Sequence, residues 1–170
     1  MQELNLTPTS YIVLGLLELC GESTPYELKQ AVASSLGNFW SIQHAQLYSE
    51  PERLAGAGYV KERREETGRR RRRYSLTAKG RRALQAWRDE PTDQLSELRD
   101  PALLKLFFGG DPGALAEVQI AAHRDKLAEY ERLRQLDQDS GPRGPWLALE
   151  SGIGHEREWV RFWEGLRKRR

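Results

Sequence analysis

The side chains with the most distinctive chemistry in this sequence form one block of charge. Arg69, Arg70, Arg71, Arg72 and Arg73 follow directly after Glu65-Glu66-Thr67-Gly68. Five consecutive guanidiniums cannot neutralise one another, so they call for an anionic partner or open solvent. Upstream, Gln43, His44, Gln46, Tyr48 and Ser49 sit close together. Their amide, imidazole and hydroxyl groups donate and accept hydrogen bonds, and a glutamine can pair with adenine at two atoms. Hydrogen-bonding groups followed by a basic block suit phosphate and base recognition rather than bond breaking. The histidines His44, His123 and His155 have no His-x-x-x-His spacing, so no metal site is expected. The single cysteine, Cys20, excludes a disulfide within the chain and is expected to be buried at the end of an apolar helix. Gly109-Gly110-Asp111-Pro112-Gly113 lacks the strand and the Lys-Ser/Thr pair of a phosphate-binding loop. With no nucleophile–base arrangement either, the expectation is a protein that is not an enzyme and needs no cofactor.

The formal charge of +2, from 27 Lys+Arg and 25 Asp+Glu, hides an asymmetry. Residues 1–52 carry one basic side chain, Lys29, and six acidic ones. Residues 53–88 carry thirteen basic and three acidic ones, and residues 89–170 carry thirteen and sixteen. A local concentration of this kind marks an anionic partner better than total charge does. Arginine outnumbers lysine 21 to 6, which phosphate chemistry and a GC-rich genome both explain. The 38% apolar content is enough for a core in 170 residues. No apolar run approaches the ~18 residues of a membrane span, and the first residues lack the pattern of a signal peptide. A soluble, cytoplasmic protein is expected.

Those groups need a scaffold, and the punctuation of the sequence supplies one. Thr7 caps and Pro8 opens a mostly apolar helix that stops at Gly21. Thr24-Pro25-Tyr26-Glu27 is a capping box that starts a second helix, reaching to about Ser35 and ended by Gly37 and Asn38. Phe39 and Trp40, in a short linker, are expected to pack under the next element. From about Gln43 to Ala57, the apolar Leu47, Pro51 and Leu54 recur at i, i+4 and i+7, while His44, Tyr48, Ser49 and Glu52 fall toward the other face. Tyr59 to Glu65 reads as a strand, Glu66-Thr67-Gly68 as a turn, and Arg70 to Leu76 as a second strand. Thr77 caps a helix bearing Ala83, Leu84 and Trp87. Helix, helix, helix, strand, strand, helix is the order of a winged helix-turn-helix. In such a fold the first turn of the third helix reaches base edges, which assigns Gln43, His44 and Gln46 to that task. Residues alternate on a ribbon, so about three of the five arginines reach DNA together, where narrow minor grooves favour them.

The second half is helical. Asp100-Pro101 starts a short apolar helix that stops at Gly109-Gly110. Asp111-Pro112 starts a longer one to about Asp139, with Leu115, Val118, Ala122, Tyr130, Leu133 and Leu136 mostly on one side. A final helix runs from about Pro145 to Arg167, where Trp146, Leu149, Ile153, Val160 and Trp163 recur at helical spacing and Glu156 occupies the skipped position. Two helices with such broad stripes cannot hide them against each other alone, which points to a helical partner.

Several motifs in this order resemble the PadR family of transcriptional regulators. The resemblance rests on Trp40-Ser41-Ile42-Gln43-His44-Ala45-Gln46-Leu47-Tyr48 with Leu54 and Gly58-Tyr59-Val60, on Tyr74-Ser75-Leu76-Thr77-Ala78-Lys79-Gly80, and on Leu98 to Phe108. It implies a mainly α protein with a winged helix-turn-helix DNA-binding domain and two-stranded wing at 1–90, a connecting segment with a short apolar helix at 91–111, and a helical dimerisation domain at 112–170. It also implies a homodimeric, cytoplasmic repressor on double-stranded DNA at a palindromic operator, released by a small-molecule effector, with aromatic compounds among the candidates. Two positions depart from the family. Pro51 stands inside the third helix where a leucine is usual, which predicts a kink after Tyr48 or a different register. Gln43 stands where a serine cap is usual.

Trp87, Phe107, Trp146, Trp159 and Trp163 fit either a pocket for a flat effector or plain interface core. The second functional reading is a winged-helix protein–protein interaction module with no specific DNA target.

Overall fold

The computed structural model describes residues 4–66, 70–136 and 143–168, without the side chain of Asn38. The expected turn at Thr67-Gly68 and the first wing arginine, Arg69, lie outside the described residues. Two compact units make up the chain, one reaching Asp93 and the other beginning at Gln94.

The N-terminal unit starts with α1, Pro8–Cys20. Thr7 caps it reciprocally with Ser10, each side chain accepting from the other's backbone N–H. Helix α2, Pro25–Ser34, is held by the Thr24/Glu27 capping box. A single 3-10 turn, Leu36–Asn38, follows it. Helix α3 spans His44–Gly56 and passes unbroken through Pro51. The expected register therefore holds. Pro51 is fully buried, so its ring packs the core at a point where its missing N–H leaves the Leu47 carbonyl without the usual helical donor.

Strands β1, Val60–Arg64, and β2, Arg72–Leu76, pair antiparallel, with Arg63 opposite Arg73 and Arg64 opposite Arg72. Ser23, between α1 and α2, adds a bridge on β2: its N–H donates to the Tyr74 carbonyl at 3.0 Å and its carbonyl accepts from the Tyr74 N–H at 2.8 Å. That pairing fixes the ribbon to the helices and was not legible in the sequence. Helix α4, Ala78–Asp89, closes the unit. The core joins Val13, Leu14 and Leu17 of α1, Leu28 of α2, Leu47 and Leu54 of α3, Tyr74 of β2 and Leu84 of α4.

Gly80 explains the tight join of ribbon to α4. A Cβ there would lie 2.2 Å from the Tyr59 carbonyl oxygen and 2.8 Å from the Leu76 side chain. The Thr77 hydroxyl lies 2.8 Å from the Gly58 and Tyr59 carbonyls and accepts from the Gly80 N–H at 3.1 Å.

The C-terminal unit holds α5, Pro101–Phe107, capped by the Asp100 carboxylate, then α6, Pro112–Leu136, and α7, Arg143–Arg167. Arg124 pairs with Glu164, Arg157 with Glu131 and Arg134 with Glu150, so α6 and α7 run antiparallel. Tyr130 lies flat on α7 because residue 152 is glycine; a Cβ there would come within 3.0 Å of the ring. None of the described helices is long and apolar enough to cross a membrane.

Three expectations need correction. Cys20 is exposed, because the core face of α1 ends at Leu17. Phe39 and Trp40 do not pack under α3; they are 63% and 44% exposed. On α6 the side facing the core is Gly113, Ala116, Ile120 and Tyr130, while Val118 and Leu136 point outward at 67% and 85% exposure. The smaller residues are inside because α6 lies close to Trp163, a fully buried indole. Glu156, at the skipped position of the α7 stripe, meets His123 Nδ1 with its carboxylate at 2.6 Å.

Candidate nucleic-acid interface

Helix α3 is locked on one side and open on the other. Leu47, Pro51 and Leu54 are buried, and His44, Tyr48, Ser49 and Glu52 are exposed. The lock has a polar part. Glu50 Oε1 accepts from Ser10 Oγ at 2.6 Å, and Arg53 grips Glu50 through Nε at 2.9 Å and a terminal nitrogen at 2.6 Å. That same nitrogen donates to Ser10 Oγ at 2.9 Å, and the other terminal nitrogen to the Asn5 carbonyl at 3.2 Å. Burial raises the Glu50 carboxyl, but the hydrogen bonds from Arg53 and Ser10 outweigh it, and the group stays below its ordinary value. The bidentate Arg53–Glu50 pair lies within α3 and fixes the orientation of that carboxylate, and the Ser10 hydroxyl bonded to both side chains ties α3 to α1. The i, i+3 spacing of Glu50 and Arg53 was visible in the sequence. Ser10, forty residues away, was not.

Gln43 stands at the N-cap of α3 without a side-chain capping bond, which leaves its amide available. Gln43, His44 and Gln46 are all exposed at that end. The Gln46 amide oxygen lies 3.5 Å from the Thr9 hydroxyl, a marginal contact. Tyr48, 48% exposed, takes no part in the core. The Ser49 hydroxyl donates back to the Ala45 carbonyl at 3.3 Å.

The wing arginines are unequal. Arg70 and Arg71 are exposed and make no ion pair with a described residue. Arg70 also turns the chain, with φ of +48°. Arg72 pairs with Glu52 of α3 at 2.9 Å and Glu62 at 3.6 Å. Its hydrogen bond to Glu52 raises its already high pKa. Arg73 donates to the Glu22 carbonyl at 2.9 Å and lies 3.5 to 3.6 Å from the carboxylates of Glu22, Glu27 and Glu65. Arg63 makes a two-pronged pair with Glu22 at 3.0 and 2.7 Å, which holds that carboxyl below its ordinary value.

The aromatic residues expected to form a pocket are divided between the two units. Trp87 belongs to the N-terminal unit, stacked on Tyr11 with ring centroids 4.7 Å apart. In the C-terminal unit Trp163 is core, with Trp159 packed against its cluster and stacked on His123 at 5.7 Å. Phe107 and Trp146 are exposed and outside that cluster.

A helix-turn-helix with an exposed recognition face, a basic two-stranded wing and a helical C-terminal unit defines a DNA-binding transcription regulator. Comparison with known proteins gives the same class. Residues 13–86 match the transcriptional regulator PadR-like family, and residues 98–168 match the family described as virulence activator alpha C-term. The negative transcriptional regulator PadR of Bacillus subtilis is 27% identical over 173 residues, covering 92% of this chain and 93% of that one. The crystal structure of B. subtilis PadR in complex with operator DNA superposes with a TM-score of 0.83 at 24% identity, covering 96% of this chain and 98% of that one. The same protein in complex with p-coumaric acid gives 0.77 at 24% identity, covering 95% and 96%. Residues 13–86 are thus a PadR-like family domain, and the chain as a whole is similar in sequence and fold to PadR.

Proposed function

We propose that the chain is a homodimeric repressor that reads a palindromic operator and leaves it when a small aromatic effector binds. The observation that carries this reading is α3, pinned to α1 by the Ser10–Glu50–Arg53 network while its other face stays open beside a wing whose Arg70 and Arg71 are exposed and make no ion pair within 4 Å among the described residues. In this reading Gln43, His44 and Gln46 meet base edges, Tyr48 and Ser49 meet base edges or phosphates, and the wing arginines meet phosphates or a minor groove. Support for the operator and the effector comes from B. subtilis PadR, whose structures hold operator DNA in one case and p-coumaric acid in the other. Support for a second copy comes from the apolar side chains left outward on the C-terminal unit, among them Phe107, Phe108 and Val118. Such a protein works in the cytoplasm, where the chromosome is.

The test replaces Arg70, Arg71 and Arg72 together with alanine and follows duplex binding by fluorescence anisotropy. A DNA reader loses at least tenfold in affinity, since each lost phosphate contact removes a share of counterion release. An interaction module with no DNA target shows no duplex binding for the substitution to weaken, and that result would contradict the proposal.

A further inference from the structure

The basic stretch carries more guanidiniums than duplex recognition can use, and the structure pairs them unequally. Side chains alternate across a ribbon, so the cross-strand register sorts them by face. Arg63 and Arg73 are opposite one another on one face; Arg64 and Arg72 are opposite one another on the other, with Glu62 and Tyr74. The first pair is drawn onto Glu22, in the α1–α2 connection, with Glu27 of α2 and Glu65 of the ribbon also within reach of Arg73. Arg73 is the most covered of the paired wing arginines, at 24% side-chain exposure, and its bond to the Glu22 carbonyl sits next to the Ser23–Tyr74 bridge. Arg70 and Arg71, beyond the last ladder pair, make no ion pair within 4 Å among the described residues; the Arg71 charge acts on Glu27 only from farther off, as a minor contribution to that carboxyl's lowered pKa.

We propose that carboxylates in the α1–α2 connection, on α2 and on the ribbon divide the arginines by role: Arg70 and Arg71 contact phosphate, whereas Arg73 is a positioning residue that sets the wing against the helix-turn-helix. This rests on the DNA-reading function proposed above. A hydrogen bond to the Glu22 carbonyl and ion pairs at 3.5 to 3.6 Å with three carboxylates hold Arg73 in one place, and a phosphate would have to displace all of them. Arg72 is intermediate. Its partner Glu52 is exposed on the open face of α3, so a phosphate can take that guanidinium from it at little cost.

The experiment compares wild type, Arg71→Gln, Arg73→Gln and Glu22→Gln by fluorescence anisotropy on a mixed-sequence duplex of about 30 base pairs, over a range of salt. The expected change for Arg71→Gln is a slope of log K against log salt shallower by about 0.9 per protomer. Arg73→Gln is expected to leave the slope unchanged. It should instead lower the preference for a library-selected duplex over the mixed-sequence one by about tenfold, a ratio that loss of fold stability alone does not move. Glu22→Gln, which frees a guanidinium without touching the wing, should steepen the slope by about the same 0.9. A slope as shallow for Arg73→Gln as for Arg71→Gln overturns the division of roles. Should Arg73→Gln not fold, an unchanged slope in Glu22→Gln overturns it. A wild-type chain that shows no salt-dependent duplex binding contradicts the DNA reading itself, and is recognised before any variant is compared.

Discussion

Glu50 sets the aim of the recognition helix. Its carboxylate is nearly buried, and Arg53 and Ser10 satisfy both of its oxygens. Replacing it with glutamine leaves the Arg53 guanidinium without its counter-charge and is expected to cost about 2 kcal/mol of unfolding free energy at neutral pH. The sign of the pH effect follows from the depressed carboxyl. A group whose folded pKa lies below its unfolded value, about 4.3 for glutamate, stabilises the fold above that value and loses the contribution as pH falls through the folded one. Thermal unfolding of wild type and Glu50→Gln is therefore expected to differ most near pH 7 and to converge in acid as pH falls through the depressed folded value. A difference that grows with acid would contradict this assignment. The same comparison separates orientation from stability: if the network aims α3, Glu50→Gln loses selectivity among duplexes even under conditions where it is fully folded.

At the scale of elements, the ribbon and α4 are joined through a point where no side chain fits. Gly80→Ala puts a Cβ within 2.2 Å of the Tyr59 carbonyl oxygen, so backbone must move. A loss of about 1 to 3 kcal/mol is expected, measured by chemical denaturation; an unchanged midpoint would mean α4 is free to shift. Much of this unit was legible beforehand because its signals are local. Thr7, Thr24 and Thr77 announce helix starts, and Leu47, Pro51 and Leu54 announce one face of α3. Pro51 predicts a kink or a different register; the helix stays continuous and in register, with the buried ring contributing packing where a hydrogen bond is missing. What escaped the sequence was non-local: the Ser23 bridge to β2, the Ser10 contact to Glu50, and the carboxylates that hold Arg63 and Arg73. The site was legible as a list of residue types. Which arginines are already engaged depends on chain segments some forty to fifty residues apart. On α6 the apolar pattern misled because large residues such as Val118 and Leu136 point outward while alanine and glycine face Trp163.

For the whole molecule, the outward apolar side chains and the exposed recognition face belong to one account. Phe107 is 83% exposed, and Phe108 and Val118 are also outward, on a unit whose inner faces are already satisfied. Exposed apolar groups of this size mark an interface. Sedimentation is expected to give about twice the 19.6 kDa chain mass, and Phe107→Asp with Val118→Glu is expected to shift the protein toward monomer, because an ionised carboxylate is not buried without a partner. A wild-type monomer at micromolar concentration would contradict the dimer. Two recognition helices in such a dimer stand about 34 Å apart, one duplex turn. If the pair neutralises roughly eight phosphates, affinity falls by about four orders of magnitude between ~50 and ~200 mM salt.

The central claim, a dimeric reader of duplex sequence, is tested most directly by selecting tight-binding duplexes from a random library at near-physiological salt and sequencing them. The account predicts enrichment of an inverted repeat whose half-sites are centred about one helical turn apart. Recovery of duplexes with no shared sequence, from protein that is folded and dimeric, would contradict it.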